Sequence, residues 1–263
     1  MTHADQWYWY LLVSVVGLVA LCEVIWPKRQ LPSTQLHRIV GNWGLYGVNS
    51  ALIAVTALGA ASLPAVFAWH AQQLQWGLLN QTKLPFWANF AVSFLLISLV
   101  GYVLHRLMHK VPFFWAMHKV HHSDTSIDFS TSVRHHPAET LVSLLFHAVA
   151  IGVFGIDPLA AVVVPTAQFM LGFYQHANIR THPLLDRILK PFIVTGDMHQ
   201  IHHSLALSEG NSNYGDIVPW WDQMFGTYLA NAKLKPENMV FGITQARLPE
   251  QLRLDKLLVL PLK

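Results

Sequence analysis

The chain has 263 residues, 53% of them hydrophobic and only 12% charged, whereas soluble domains carry about 25% charged residues; this composition excludes an ordinary water-soluble globule and reads as an integral membrane protein. A formal charge of +3, from 17 Lys+Arg against 14 Asp+Glu, comes without a basic stripe, which excludes a nucleic-acid footprint and suits a cytoplasmic loop surface beside anionic lipid. The single cysteine, Cys22, excludes an intrachain disulfide and a cysteine-rich metal site.

The start MTHADQ lacks a positively charged n-region and no small-residue cleavage site follows, so no signal peptide is expected. Residues 7–26 form an apolar run of the length that crosses a hydrocarbon core, about 20 residues. Aromatic residues flank it, Trp7 to Tyr10 and Trp26, as in interfacial belts. Glu23 lies near its exit, within reach of Lys28. A basic link with Lys28, Arg29 and Arg38 follows, then apolar stretches at about 43–69 and 86–104. The link between those two, residues 70–85, holds one charge, Lys83. Residues 140–156 are apolar, GIDP at 155–158 makes a tight turn, and 159–175 are apolar again, which reads as a helical hairpin. The excess of Lys and Arg places 27–42, 105–139 and 176–263 in the cytoplasm, with the 70–85 link and the GIDP turn outside. Five passages that start outside also finish inside, so the count agrees. The expected architecture is all-α: a polytopic membrane bundle under a cytoplasmic, histidine-rich helical cap. Residues 1–94 form the N-terminal membrane segments, 95–228 a catalytic domain and 229–263 a polar tail. Within that tail LRLDKLLVL reads as a short amphipathic surface helix.

The chemistry concentrates at residues 105–122, HRLMHKVPFFWAMHKVHH. His105 and His109 are i and i+4, one turn apart on one helix face, a spacing that lets two imidazoles grip one ion. His118, His121 and His122 share a stripe at i, i+3 and i+4, and the same HxxHH pattern returns as His199, His202 and His203. With 16 histidines in the chain, one HxxHH is expected by chance about 0.06 times and two on the order of 10⁻³ times. These eight imidazoles exceed the four ligands of a zinc site, so two metal ions is the natural count. Imidazole suits Zn, Cu, Fe and Ni alike. A polar multi-metal site beneath an apolar bundle is well placed to act on lipid chains, whose inert C–H bonds need a redox metal with O₂ rather than a side chain.

HRLMH at 105–109, WAMHKVHHSD at 115–124, RHHPAE at 134–139, QHANIR at 175–180, MHQIHHS at 198–204 and NYGDIVPWWDQMFGTY at 213–228 together resemble the fatty acid hydroxylase/sterol desaturase superfamily. The resemblance covers about 100–228 with order and spacing intact. It implies a membrane di-metal oxygenase, normally with two iron ions and O₂, that hydroxylates or desaturates a sterol, fatty acyl or related lipid. It further implies a separate electron-donor protein, and zinc is a possible substitute metal, since affinity rises toward the end of the first-row series. Carried over by position, the ligands are His105, His109, His118, His121, His122, His199, His202 and His203, with the isolated His176. Some relatives pair that last histidine as HxxxH, but here the position is Arg180. The tenth ligand is therefore open among His136, His182 and His135, in that order.

Asp124, Glu139, Asn178, Asp197 and Asp216 are candidates to fix imidazole tautomers, or else caps and turn formers; Asp197, just before a helix-like box, suits N-capping. His147 falls within an apolar passage, where a bonded structural role is expected, and His3, His37 and His70 read as interfacial or solvated. The aromatic 213–228 run packs the cap or rests on the membrane interface. A histidine-rich metal transporter is the competing class, but transport needs ionisable groups at midplane depth, and only His147 lies inside a passage. HExxH and the GxSxG nucleophile elbow are absent, which disfavours a membrane zinc hydrolase. No dinucleotide fingerprint or haem-attachment motif is present, so the chain does not carry its own reductase.

Overall fold

A computed structural model describes the backbone of residues 3–32, 36–56 and 64–263 and the side chains from Tyr10 onward within those ranges. The expectations for Trp7 to Trp9 and for the surroundings of His3 lie outside the described side chains. The described chain is all-helical, and its only β pairing is three isolated bridges. In order, the α-helices are α1 His3–Ile25, α2 Leu36–Thr56, α3 Pro64–Gln73, α4 Phe86–Lys110, α5 Pro112–His122, α6 Pro137–Phe154, α7 Pro158–His176, α8 Pro183–Leu189, α9 Gly196–His202, α10 Leu207–Gly210, α11 Trp220–Met224 and α12 Leu254–Val259.

Among the described residues two helices, α4 and α6, are long and apolar enough to cross a membrane. Their boundaries follow from local chemistry. α4 stops at Lys110 because Val111 precedes Pro112, and a residue before proline is steered out of the helical region; Pro112 then opens α5 at its first turn, where its missing N–H costs nothing. α6 ends on Gly155, which adopts the left-handed conformation at φ 67°. Asp157 accepts the N–H groups of Leu159 and Ala160 to start α7, with Pro158 in the first turn. The GIDP hairpin expected from sequence is therefore built as a helix stop followed by a helix start.

Two described helices fall on the 43–69 stretch. α2 ends at Thr56 and α3 begins at Pro64, with 57–63 outside the described residues. The two helices reach opposite ends of the bundle. Asn42 in α2 bonds Asp124 and Ser130 at the histidine-bearing end, while Leu78, just past α3, donates its N–H to the Val153 carbonyl at 3.1 Å, at the far end of α6. Gly77 and Gly155 approach so closely that a Cβ on Gly77 would lie 2.2 Å from the Gly155 nitrogen.

The tail departs from a plain surface helix. Leu257, at 0% exposure, and Leu260 pack with Leu252 against Leu45 of α2 and Val120 of α5. A Cβ on Gly41 would meet the Leu252 carbonyl oxygen at 2.6 Å, so α2 needs a glycine there to admit the tail. Glu23 does not pair with Lys28. Its carboxylate accepts the N–H groups of Phe129 and Asn178, both at 3.0 Å, and Lys28 instead binds Asp197 and Gln200.

Candidate metal centre and its chamber

The break at Val111–Pro112 folds α5 back on the end of α4. That turn sets the His109 ring 5.0 Å from His118 and 4.7 Å from His122, measured between centroids. α7 delivers His176 in its last turn, and α9 brings His199 and His202, with His203 as its C-cap. The outcome is two clusters of ring nitrogens, each confined within 4.8 Å: His105, His109, His118, His122 and His202 in one, and His121, His176, His199 and His203 in the other. The His122 and His203 rings stack at 4.4 Å and link the clusters.

In the first cluster the outer nitrogens are fixed by acceptors. His105 Nδ1 donates to the Tyr214 carbonyl at 2.8 Å, His202 Nδ1 to the Ser212 carbonyl at 2.7 Å, and His118 Nδ1 to Glu139 Oε1 at 2.9 Å. That chemistry sets the tautomer and leaves Nε2 of all three with a lone pair. Each of those Nε2 atoms is buried and has no hydrogen-bond partner. In the second cluster His176 Nδ1 donates to the Gly172 carbonyl at 2.7 Å. Its Nε2 lone pair faces the Nε2 atoms of His121, His203 and His199 at 3.2, 3.1 and 3.0 Å.

N–H···N bonds can satisfy these crowded nitrogens only pairwise, whereas one shared cation takes all four lone pairs at once. A tetrahedral ion with N bonds of about 2.05 Å would space its donors by about 3.3 Å, close to the distances seen. Burial, reinforced by the neighbouring imidazoles, pushes His121, His122, His199, His202 and His203 well below the ordinary histidine range. They are neutral imidazoles, the form that binds metal. The residues present therefore fit two metal ions, five histidines around one and four around the other.

The other sequence candidates fall elsewhere. His136 joins neither cluster. It caps α6, its Nδ1 accepting the Ala138 N–H at 3.1 Å, and its Nε2 donates to the Leu258 carbonyl at 3.2 Å. His182 caps α8 in the same way through the Leu184 N–H. Both stand before a proline at the helix's first position, and that His–Pro dipeptide was the readable signal for a cap. His135 lies nearer, its ring stacked on His121 at 4.5 Å and its Nδ1 3.0 Å from Glu139 Oε1. Glu139 therefore serves two imidazoles.

Asp216 lies 3.5 Å from His105 Nδ1. Asp124 instead holds Arg38 and Asn42, and Asn178 pins the link at Arg29. Asp197 sits inside the first turn of α9, whose N-cap is Thr195. His147 donates Nδ1 to the Ser143 carbonyl one turn back, at 2.7 Å. The backbone acceptors at Gly172, Ser212 and Tyr214 escaped sequence reasoning, because no side-chain pattern marks a carbonyl.

A cavity of about 460 Å³ opens onto both clusters, reaching His105, His118, His121, His176 and His199. From there it climbs between α2, α6 and α7 along walls that include Leu104, Val133, Leu144 and Phe169. Its size falls within the range of ligand pockets, about 300–1,000 Å³. Glu139 and His147 both line it; eight residues apart on α6, they are separated by about 12 Å of helix rise. The chamber is thus long enough to take an extended chain end-on toward the histidines.

Residues 90–227 match the family profile described as Fatty acid hydroxylase, just over half the chain. The chain belongs to the fatty acid hydroxylase family. Its curated relatives include the ornithine lipid hydroxylase OlsE of Rhizobium tropici, 26% identical over 251 residues, which are 90% of this chain and 71% of that protein. Alkylglycerol monooxygenase of Homo sapiens is 27% identical over 81% of this chain and 48% of its own length. Methylsterol monooxygenase 1 of Gallus gallus is 31% identical over 48% of this chain and 41% of its own. The chain thus spans about half or less of the latter two. No solved structure gave a match. The superfamily resemblance carried by the histidine boxes is thereby established, and with it an oxidoreductase family.

Proposed function

We propose that the chain is a membrane-bound, O₂-dependent lipid hydroxylase or desaturase built on two iron ions. The observation that carries this reading is the convergence of nine imidazoles in two clusters at the floor of an apolar chamber shaped for a chain. The metals supply the oxidising power toward a C–H bond that no side chain has. The protein's own residues do the rest. Glu139 and the carbonyls of Tyr214, Ser212 and Gly172 lock ring tautomers so that lone pairs face inward. Leu104, Leu144 and Phe169 exclude water from the reacting carbon and orient the lipid by shape.

Hydroxylation consumes O₂, two electrons and two protons per C–H bond and releases one water, so a separate reductant protein must serve the chain. Relatives named for ornithine lipid, alkylglycerol and methylsterol support a lipid as substrate. Residues 95–228 form the catalytic domain, 1–94 the membrane stem, and 229–263 a tail that clamps α2 to α5.

Elemental analysis of protein purified without oxygen tests this directly. It should approach two metals per chain, with zinc replacing iron on overexpression. His202→Ala, in the five-histidine cluster, and His121→Ala, in the four-histidine cluster, should each lose metal and abolish lipid oxidation. Combining them should add almost nothing, because residues that act as a unit are not additive. Full metal content and turnover in both variants would overturn the reading.

A further inference from the structure

The segment carrying α11 reaches deeper along α4 than a cytoplasmic cap should. Trp221 donates its indole N–H to Ser98 Oγ at 3.0 Å. Phe225 stacks on Tyr102 at 5.4 Å, and Tyr102 Oη lies 2.9 Å from Thr227 Oγ1. Ile217 and Val218 share a buried cluster with Ile97 and Val164. Ser98 precedes His105 by seven residues, about 10 Å along the helix, inside the apolar stretch read as crossing the membrane.

Non-helical backbone survives at that depth only when its polar groups are satisfied within the protein. This segment meets the condition. Asp222, at 0% exposure, accepts the N–H groups of Tyr214 and Gly215 at 2.8 and 2.7 Å and the Thr227 hydroxyl at 2.7 Å. Its own carbonyl accepts Thr227 and Tyr228. Gln175 covers the Asp216 carbonyl, and Val194 that of Ile217.

The outward side of the same segment is apolar: Trp220, Met224 and Phe225 are exposed. Trp220 donates its indole N–H to the Pro191 carbonyl at 2.8 Å, which joins this surface to the α8 region, where Leu184, Ile188 and Phe192 are also exposed. Arg187 and Lys190 border the patch, as cations do at a membrane surface. Water would leave this joined surface without a favourable partner.

We propose that α8 and residues 217–227 form a membrane-embedded collar around the inner half of α4, with Leu184, Ile188, Phe192, Trp220, Met224 and Phe225 immersed among lipid chains. The collar rests on the reading of α4 and α6 as membrane spans. It fixes the depth of the histidine clusters, because the strand of chain from Tyr214 to Thr227 ties His105's carbonyl partner to the lipid-facing loop.

Spin labels on the full chain test it, in a Cys22→Ser background, in vesicles of phosphatidylcholine and phosphatidylglycerol. Labels at Ile188→Cys and Met224→Cys are compared with Val149→Cys on the exposed face of α6 and Asn231→Cys in an exposed loop. Collision with O₂, which partitions into lipid, is set against collision with a water-soluble nickel chelate. At 188 and 224 the O₂-to-nickel ratio should be several-fold above that at 231 and should match 149. Nickel access equal to that at 231 would place the collar in water, and low access to both reagents would place it in a protein contact; either overturns it while the stem stands. Nickel access at 149 as well would bring down the membrane stem and the collar together.

Discussion

Within the site, two histidine environments that look alike in sequence separate on contact chemistry. Glu139 bonds His118 and His135 through one oxygen, and its second oxygen is buried with no hydrogen-bond partner. Glu139→Gln keeps the shape but removes the charge that holds both imidazoles. Outer partners of this kind are worth about 10–100-fold in metal affinity, so the variant should lose metal to a chelator at about 10–100-fold lower concentration. His136→Ala should do the opposite. It removes the α6 cap and lowers stability by about 0.5–2 kcal/mol, while metal content, read by elemental analysis, stays at the unmodified level. Loss of metal in His136→Ala would return that residue to the ligand set, and an unchanged chelator midpoint in Glu139→Gln would reduce the carboxylate to a packing role.

Among the elements, the GIDP turn and the His spacings were legible because they depend on neighbours in the chain. The i, i+3, i+4 stripes and the Gly155–Asp157 turn each follow from a few adjacent residues; the Val111–Pro112 break is as local, but is a helix stop beyond those expected from sequence. What stayed hidden joins elements far apart in sequence. Arg134 is fully buried, donating to the Val120 carbonyl, Asn42 and Ser123, and Arg38 of α2 binds both Asp124 and Asp128. Asp124 faces both guanidinium groups, which hold it below the ordinary carboxylate range, and no local pattern announces that. The tail likewise reads as amphipathic, but only the structure shows α2 and α5 receiving its apolar face. Asp124→Ala would strand buried positive charge between α2 and the segment after α5. Breaking a buried pair in this way costs about 3–5 kcal/mol, so thermal unfolding should fall by that amount. A shift near zero would show that the network is solvated rather than structural.

For the whole molecule, the Lys/Arg asymmetry and the contacts agree on which pieces share a side. The segments read as cytoplasmic touch one another: Lys28 pairs with Asp197, Arg38 with Asp124, and Asn178 with the backbone of Arg29. The two pieces read as external also meet, Leu78 at Val153 and Gly77 at Gly155. Both sets are what the expected five passages require, with a histidine-bearing end on one side and a turn-bearing end on the other. A shared metal centre demands that two segments share a face, since His105 and His121 lie in 105–139 and His176 and His202 in 176–263. Single cysteines in a Cys22→Ser background, probed in intact cells with an impermeant maleimide, give the check. A cysteine at residue 78 should label from outside, whereas cysteines at 125 and 205 should label only after the membrane is opened. Labelling of 205 from outside, with 125 protected, would put the second and third histidine boxes on opposite faces. The two clusters could not then form in the membrane, and the di-metal reading would fall with the topology.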